Sequence, residues 1–129
     1  QNIVRIIKTP DIYIYIILWV VLNHILNEVL KHTIKEPRPK DIPYINYWDS
    51  PPMLGKYGMP SGHAQQVSAG VTFIALTFDA PIVTAVTFVI ACLTVYQRYI
   101  YQKHTATQLS AGILLGATTG YALHAFLQL

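Results

Sequence analysis

The chain has 129 residues, 53% of them apolar and only 12% charged, where a soluble domain carries about 25% charged residues. That composition excludes an ordinary water-soluble surface and disfavours a soluble all-helical bundle, whose outward faces would lack charge. Nine Lys and Arg against six Asp and Glu leave a formal net charge of +3, and the placement of those cations matters more than their sum.

The sequence begins at Gln1 with neither a Met nor a basic-plus-apolar leader, and so reads as processed, trimmed or a fragment that further helices precede. Asp11 is followed by IYIYIILWVVLN, twelve residues whose only ionisable groups are tyrosines, before His24, Asn27 and Glu28. Fifteen uncharged residues lie between His63 and Asp79, eighteen run from Ala80 to Gln97, and nineteen from Thr105 to Leu123. A membrane span needs about 20 residues, with 17 a common lower limit, so the last two qualify and the first two cross if their polar ends reach the interface. Four helices are predicted, over roughly 11–32, 62–79, 81–98 and 104–127, as a membrane-embedded antiparallel all-α bundle in a single domain, 1–129.

Four such crossings place the 33–60 segment and the 98–104 turn on one side. Seven of the nine Lys and Arg residues (Lys31, Lys35, Arg38, Lys40, Lys56, Arg98 and Lys103) lie on or next to that side, and Arg5 and Lys8 on the other. The positive-inside rule makes the cation-rich face cytoplasmic; the competing reading is that some of these cations hold an anion. The 33–60 segment is long for a connection, as functional loops are. Tyr44, Tyr47, Trp48, Met53 and Tyr57 suit it to the interface, and Pro37, Pro39, Pro43, Pro51 and Pro52 stiffen it. In the last helix Gly112, Gly116 and Gly120 recur every four residues, a stripe that lets another helix approach closely. Cys92, the single cysteine, is expected to be a small buried apolar residue.

Three clusters fall at helix ends on one face. In KHTIKEPRP, Lys31 to Pro39, two prolines fix the backbone around Arg38, so that its planar fork is presented from a stiff turn. In YGMPSGHAQ, Tyr57 to Gln65, Ser61 is placed to cap the following helix and to leave the N–H groups of Ser61, Gly62 and His63 facing an anion. His63 is placed there to give a proton to a leaving oxygen. In YQRYIYQKHTATQ, Tyr96 to Gln108, Arg98 ends one span and His104 begins the next. Each cluster alone reads as an ordinary interfacial helix end; together, three cations, helix-terminal amides and two histidines are what phosphoryl transfer asks for. His24, His32 and His124 read as structural or interfacial residues, and a zinc site is disfavoured because no closely spaced ligand set exists.

Lys31, six residues, Arg38-Pro39; Pro60-Ser61-Gly62-His63; and Arg98, five residues, His104 resemble the three signature motifs of the type 2 phosphatidic acid phosphatase superfamily. The flanks, Glu36-Pro37-Arg38-Pro39, Lys56-Tyr57-Gly58-Met59-Pro60-Ser61 and His104-Thr105 with Gln108, are most similar to dolichyl diphosphatases. The wider superfamily usually has Asp where this chain has Gln108, whereas that subfamily also has Gln; Gly62 replaces a Ser often found there.

The resemblance implies a cofactor-free, metal-independent phosphatase in which His104 attacks phosphorus, His63 protonates the leaving group, and Lys31, Arg38, Arg98, Ser61 and Gly62 hold the phosphoryl oxygens. It further implies a polyisoprenyl diphosphate substrate, an active site facing the lumen of the endoplasmic reticulum, and neither a nucleic acid nor an obligate protein partner. The alternatives are a phosphatase of phosphatidic acid or another prenyl diphosphate, and an inert protein that binds anionic lipid. Positions 104 and 108 are read as i and i+4 on one helix, so Gln108 is expected to accept the Nδ1 proton of His104, as a triad Asp does, without adding charge. On that reading Gln108→Asp retains activity.

Overall fold

The computed structural model describes residues 11–39 and 57–128. Arg5, Lys8, Lys40, Lys56 and the loop residues Pro43, Tyr44, Tyr47, Trp48, Pro51, Pro52 and Met53 lie outside the described residues. The described chain is all-helical, with α1 (Asp11–Ile34), α2 (Gly62–Thr77), α3 (Pro81–Ile100) and α4 (Ala106–Gln128) in that order. Every boundary falls within two residues of its predicted place.

Local chemistry sets the ends. α1 stops where Lys35 takes a left-handed conformation (φ 56°) and its N–H closes on the Lys31 carbonyl at 2.8 Å, after which Pro37 prevents continuation. Ser61 caps α2 by accepting from the Ala64 N–H at 3.3 Å, and Pro81 at the first position opens α3 with its fixed φ.

α1, α3 and α4, with 24, 20 and 23 residues, are long and apolar enough to cross a membrane, so the chain is an integral membrane protein. α2 differs from expectation. Its 16 residues rise about 24 Å, short of a hydrocarbon core about 30 Å thick. The cause is Phe78, which turns extended (φ −115°, ψ 135°) and ends the helix before Asp79. α2 lies between the three longer helices and contacts each of them.

Side-chain pairs give the directions. Trp19 meets Phe73, Asn23 meets Gln66 and Asn27 meets Pro60, so α1 and α2 are antiparallel. A Cβ at Gly112 would press on Ser61, at Gly116 on Gln65, and at Gly120 on Ala69, so α2 and α4 run parallel with backbones in close approach, as the glycine stripe predicts. Large apolar side chains face outward, among them Ile82 (79% exposed) and Leu114 (70%), whereas Asn23, Asn27, Lys31, Gln65, Arg98, His104 and Gln108 are buried. Such an inverted distribution suits lipid outside and a polar interior. Cys92 is exposed on α3 rather than buried, at an open apolar groove that α3 forms with α2.

Candidate active site

This topology brings the C-terminal ends of α1 and α3 and the N-terminal ends of α2 and α4 to one end of the bundle. Lys31 arrives on α1, Arg38 on the turn after it, Ser61, Gly62 and His63 at the start of α2, Arg98 near the end of α3, and His104 on the turn before α4. An antiparallel bridge between Pro37 and Tyr57, with the Gly58 N–H donating to the Glu36 carbonyl at 2.8 Å, joins the first two clusters.

His104 is 2% exposed. Its Nδ1 lies 3.0 Å from the carbonyl oxygen of Gly58. A carbonyl only accepts, so Nδ1 carries the ring proton and Nε2 keeps its lone pair. Nη1 of Arg38 stands 3.3 Å from that Nε2 and also donates to the Lys103 carbonyl at 3.0 Å. The ring is held neutral: burial, then the charges of Arg38, Arg98 and Lys31, push its pKa from 6.5 down to about 3, against a smaller opposing pull from the Gly58 carbonyl. These three cations therefore act on one imidazole, and Arg98, 2% exposed, is buried with it.

Gln108 does not fill the place expected of it. His104 precedes α4 rather than belonging to it, so the i, i+4 geometry does not arise. Instead Thr105 and Gln108 form a capping box: the Gln108 N–H donates to Thr105 Oγ1 at 3.2 Å and Gln108 Oε1 accepts from the Thr105 N–H at 3.2 Å. Gln108 Nε2 donates to Glu36 Oε1 at 2.8 Å and to the Pro37 carbonyl at 2.9 Å. The acceptor of the His104 proton is the main chain at Gly58, and the expectation for Gln108→Asp falls with the geometry that motivated it.

The cradle at α2 needs one correction too. The Ser61 N–H is not open to an anion, because it donates to the Gln108 carbonyl at 3.1 Å. Ser61 Oγ serves as the N-cap acceptor, which leaves its hydroxyl hydrogen to donate. His63 is exposed in the first turn of α2, and Gly62 lies so close to α1 that a Cβ there would stand 3.1 Å from Asn27 Oδ1.

Three motifs in this order, at one end of a helical bundle, around a neutral histidine, are matched by the PAP2 superfamily model over residues 12–129. The chain belongs to the PAP2 superfamily. No curated protein and no solved structure gives a match. Members of the PAP2 superfamily are phosphatases, which makes this chain a membrane phosphatase of the lipid phosphatase type.

Beneath the PAP2 motifs lies a buried amide network that none of the three clusters announces. Gln65 Nε2 donates to Asn23 Oδ1 at 2.6 Å and to the Asn23 carbonyl at 3.0 Å, while Asn27 Nδ2 donates to Gln65 Oε1 at 2.7 Å and to the Pro60 carbonyl at 3.2 Å. Asn23, Asn27 and Lys31 recur every four residues on one face of α1, a polar stripe that was the available signal. Lys31 pairs with Glu28 at 3.7 Å, and His32 reaches the same carboxylate at 3.8 Å. His124 Nδ1 lies 3.1 Å from Thr77 Oγ1 near the opposite end of α4, and His24 is exposed on α1, so neither joins the PAP2 site.

Proposed function

We propose that the protein is a polyisoprenyl diphosphate phosphatase, acting on dolichyl diphosphate and releasing dolichyl phosphate and inorganic phosphate. The observation that carries the chemistry is the fixed tautomer of His104: Nδ1–H held on Gly58 at 3.0 Å and Nε2 left with its lone pair among three cations.

In the proposed reaction the terminal phosphoryl group enters between Nε2 and Arg38, exchanging the Arg38–His104 contact for a contact to phosphoryl oxygen. Lys31, Arg38, Arg98, the Ser61 hydroxyl and the Gly62 amide hold the equatorial oxygens. Nε2 attacks phosphorus as the bond to the bridging oxygen breaks. That oxygen leaves with a proton from His63, giving dolichyl phosphate and a phosphohistidine. Water, deprotonated by His63, then attacks phosphorus, and the P–N bond breaks to give phosphate and neutral His104.

Two observations support a lipid with a long hydrocarbon chain. The motif flanks are similar to dolichyl diphosphatases, a likeness that also suggests a lumenal site in the endoplasmic reticulum. In addition, an apolar groove of about 480 Å³ runs between α2 and α3, lined by Val67, Val71, Phe88, Cys92, Val95 and Tyr96. It begins about one turn from both His63 and Arg98, where a tail attached to a bound headgroup would descend.

The test is phosphate release by detergent-solubilised protein from dolichyl diphosphate and from phosphatidic acid, with a chelator present and His104→Ala as control. Chelator-resistant release from the diphosphate that vanishes in the variant supports the proposal. Preference for phosphatidic acid replaces the substrate, and tight binding without release by the wild type returns the protein to an inert lipid binder.

A further inference from the structure

The side-chain amide of Gln108 is wholly buried and uses every hydrogen-bonding direction that matters on segments far apart in sequence. Oε1 is taken by the capping box with Thr105; Nε2 gives one proton to Glu36 Oε1 at 2.8 Å and the other to the Pro37 carbonyl at 2.9 Å. Glu36 in turn holds the Gly58 N–H through its main-chain carbonyl at 2.8 Å, and the Gln108 amide packs on Gly58 so closely that a Cβ there would run into it. The Gln108 carbonyl takes the Ser61 N–H at 3.1 Å.

We propose that Gln108 is a positioning residue: with Glu36 it latches the Arg38 turn and the Gly58 carbonyl onto the His104 turn, so that the phosphate clamp and the acceptor that sets the nucleophile's tautomer move as one body. This inference rests on the reading of His104 as nucleophile. It predicts that the donor character of Nε2, not the orienting of His104, is what position 108 supplies. A carboxylate there would set negative oxygens against the Glu36 carboxylate and the Pro37 carbonyl, which is why a Gln suits this chain where an Asp serves a different acceptor geometry.

Gln108→Glu isolates the latch from the helix. Glu fills the same capping-box position as Gln and favours a helix N-terminus, so α4 keeps its cap while both donors are lost. Expected are a fall of about 10- to 100-fold in kcat/KM and a lowered melting midpoint, since the new carboxylate is buried against Glu36 and the Pro37 carbonyl, with recovery of both, tenfold or more in kcat/KM, when Glu36→Gln is added, because the amide introduced by that second change then donates to the new carboxylate. Glu36→Gln alone completes the cycle. Gln108→Glu with wild-type kcat/KM, or a double variant no better than Gln108→Glu while both remain folded, overturns the latch. Histidine-selective 15N labelling separates this from the choice of substrate: in wild type the His104 signals should be those of a single Nδ1–H tautomer, and in Gln108→Glu of a mixture. If the wild type hydrolyses neither lipid, the substrate reading fails alone; an unchanged single tautomer in Gln108→Glu sinks the latch whatever the lipid result.

Discussion

Nδ1 of His104 donates to the carbonyl oxygen of Gly58 across 3.0 Å, between residues 46 apart in the chain. A side-chain carboxylate or amide can titrate or rotate; a peptide carbonyl can do neither. The tautomer of His104 is thus set by the fold of the Glu36–Gly58 pairing, and it holds only while that pairing holds.

Gly58 is accordingly a sensitive position. A Cβ there meets the side chain of Gln108, which is pinned by its own hydrogen bonds to Thr105, Glu36 and Pro37 and cannot retreat. Gly58→Ala should lower kcat by about 10-fold or more and cost about 1–3 kcal/mol. Phosphate-release kinetics beside a melting curve in detergent measure both; a fully active Ala variant would show that the Gln108 side chain yields to a Cβ without disturbing the carbonyl.

The neutral state of His104 has a consequence for stability against pH. In the unfolded chain its imidazole takes a proton near pH 6.5, whereas the folded ring resists until about 3. Between those values the unfolded state binds the extra proton, so stability is complete above about 6.5 and declines as pH falls toward 3, by an amount of the order of a few kcal/mol. The melting midpoint of wild type should drop more between pH 7 and pH 4.5 than that of His104→Asn. Equal drops would mean that the ring is protonated in the fold.

Gly120 lies on α4 well away from His104, and a Cβ there would press on the Ala69 backbone. Gly120→Val should therefore push α2 and α4 apart and lower the melting midpoint by the equivalent of about 1–3 kcal/mol. Because the His104 end of the bundle is distant, the fraction that remains folded should turn over at near the wild-type rate. Loss of kcat without loss of stability would contradict the packing role.

Asn27→Leu removes a donor from both Gln65 Oε1 and the Pro60 carbonyl. Leaving buried acceptors unpaired costs about 1–3 kcal/mol, and interhelical hydrogen bonds within membranes average about 0.6 kcal/mol, so a loss near 1–2 kcal/mol is expected. Denaturant titration in mixed micelles reads it. Pro60 precedes the cap of α2, so phosphate affinity should weaken as well; unaltered stability would mark the network as ornamental to folding.

Uncharged run lengths sufficed to find four helices, because a membrane span must satisfy its backbone internally and so announces itself by length and lack of charge. The cations, His63 and His104 were legible as candidates because such groups are rare in a chain of this composition. The acceptor for His104 was not, since every residue owns a carbonyl and only the fold decides which one points at a ring. The role of Gln108 was misread for a related reason: its spacing from His104 suggested a shared helix face, whereas Thr105-Ala106-Thr107-Gln108 is itself a capping-box pattern that starts the helix after the histidine. α2 came out shorter than the expected 62–79 because absence of charge does not register the extended turn at Phe78.

The parallel fit of α4 on α2, with α3 between them in sequence, also bears on how the protein is made. Ser61, Gln65 and Ala69 wait for Gly112, Gly116 and Gly120, and these are synthesised only after a complete intervening span. During translation α2, too short to stand as a span by itself, has its polar Gln65 edge served by α1 alone until the last helix arrives. Assembly of the phosphatase is therefore the closing event of its insertion, and a chain stopped before α4 would carry Lys31, Arg38 and Arg98 into the bilayer without Gln108 to tie the Arg38 turn to the His104 turn.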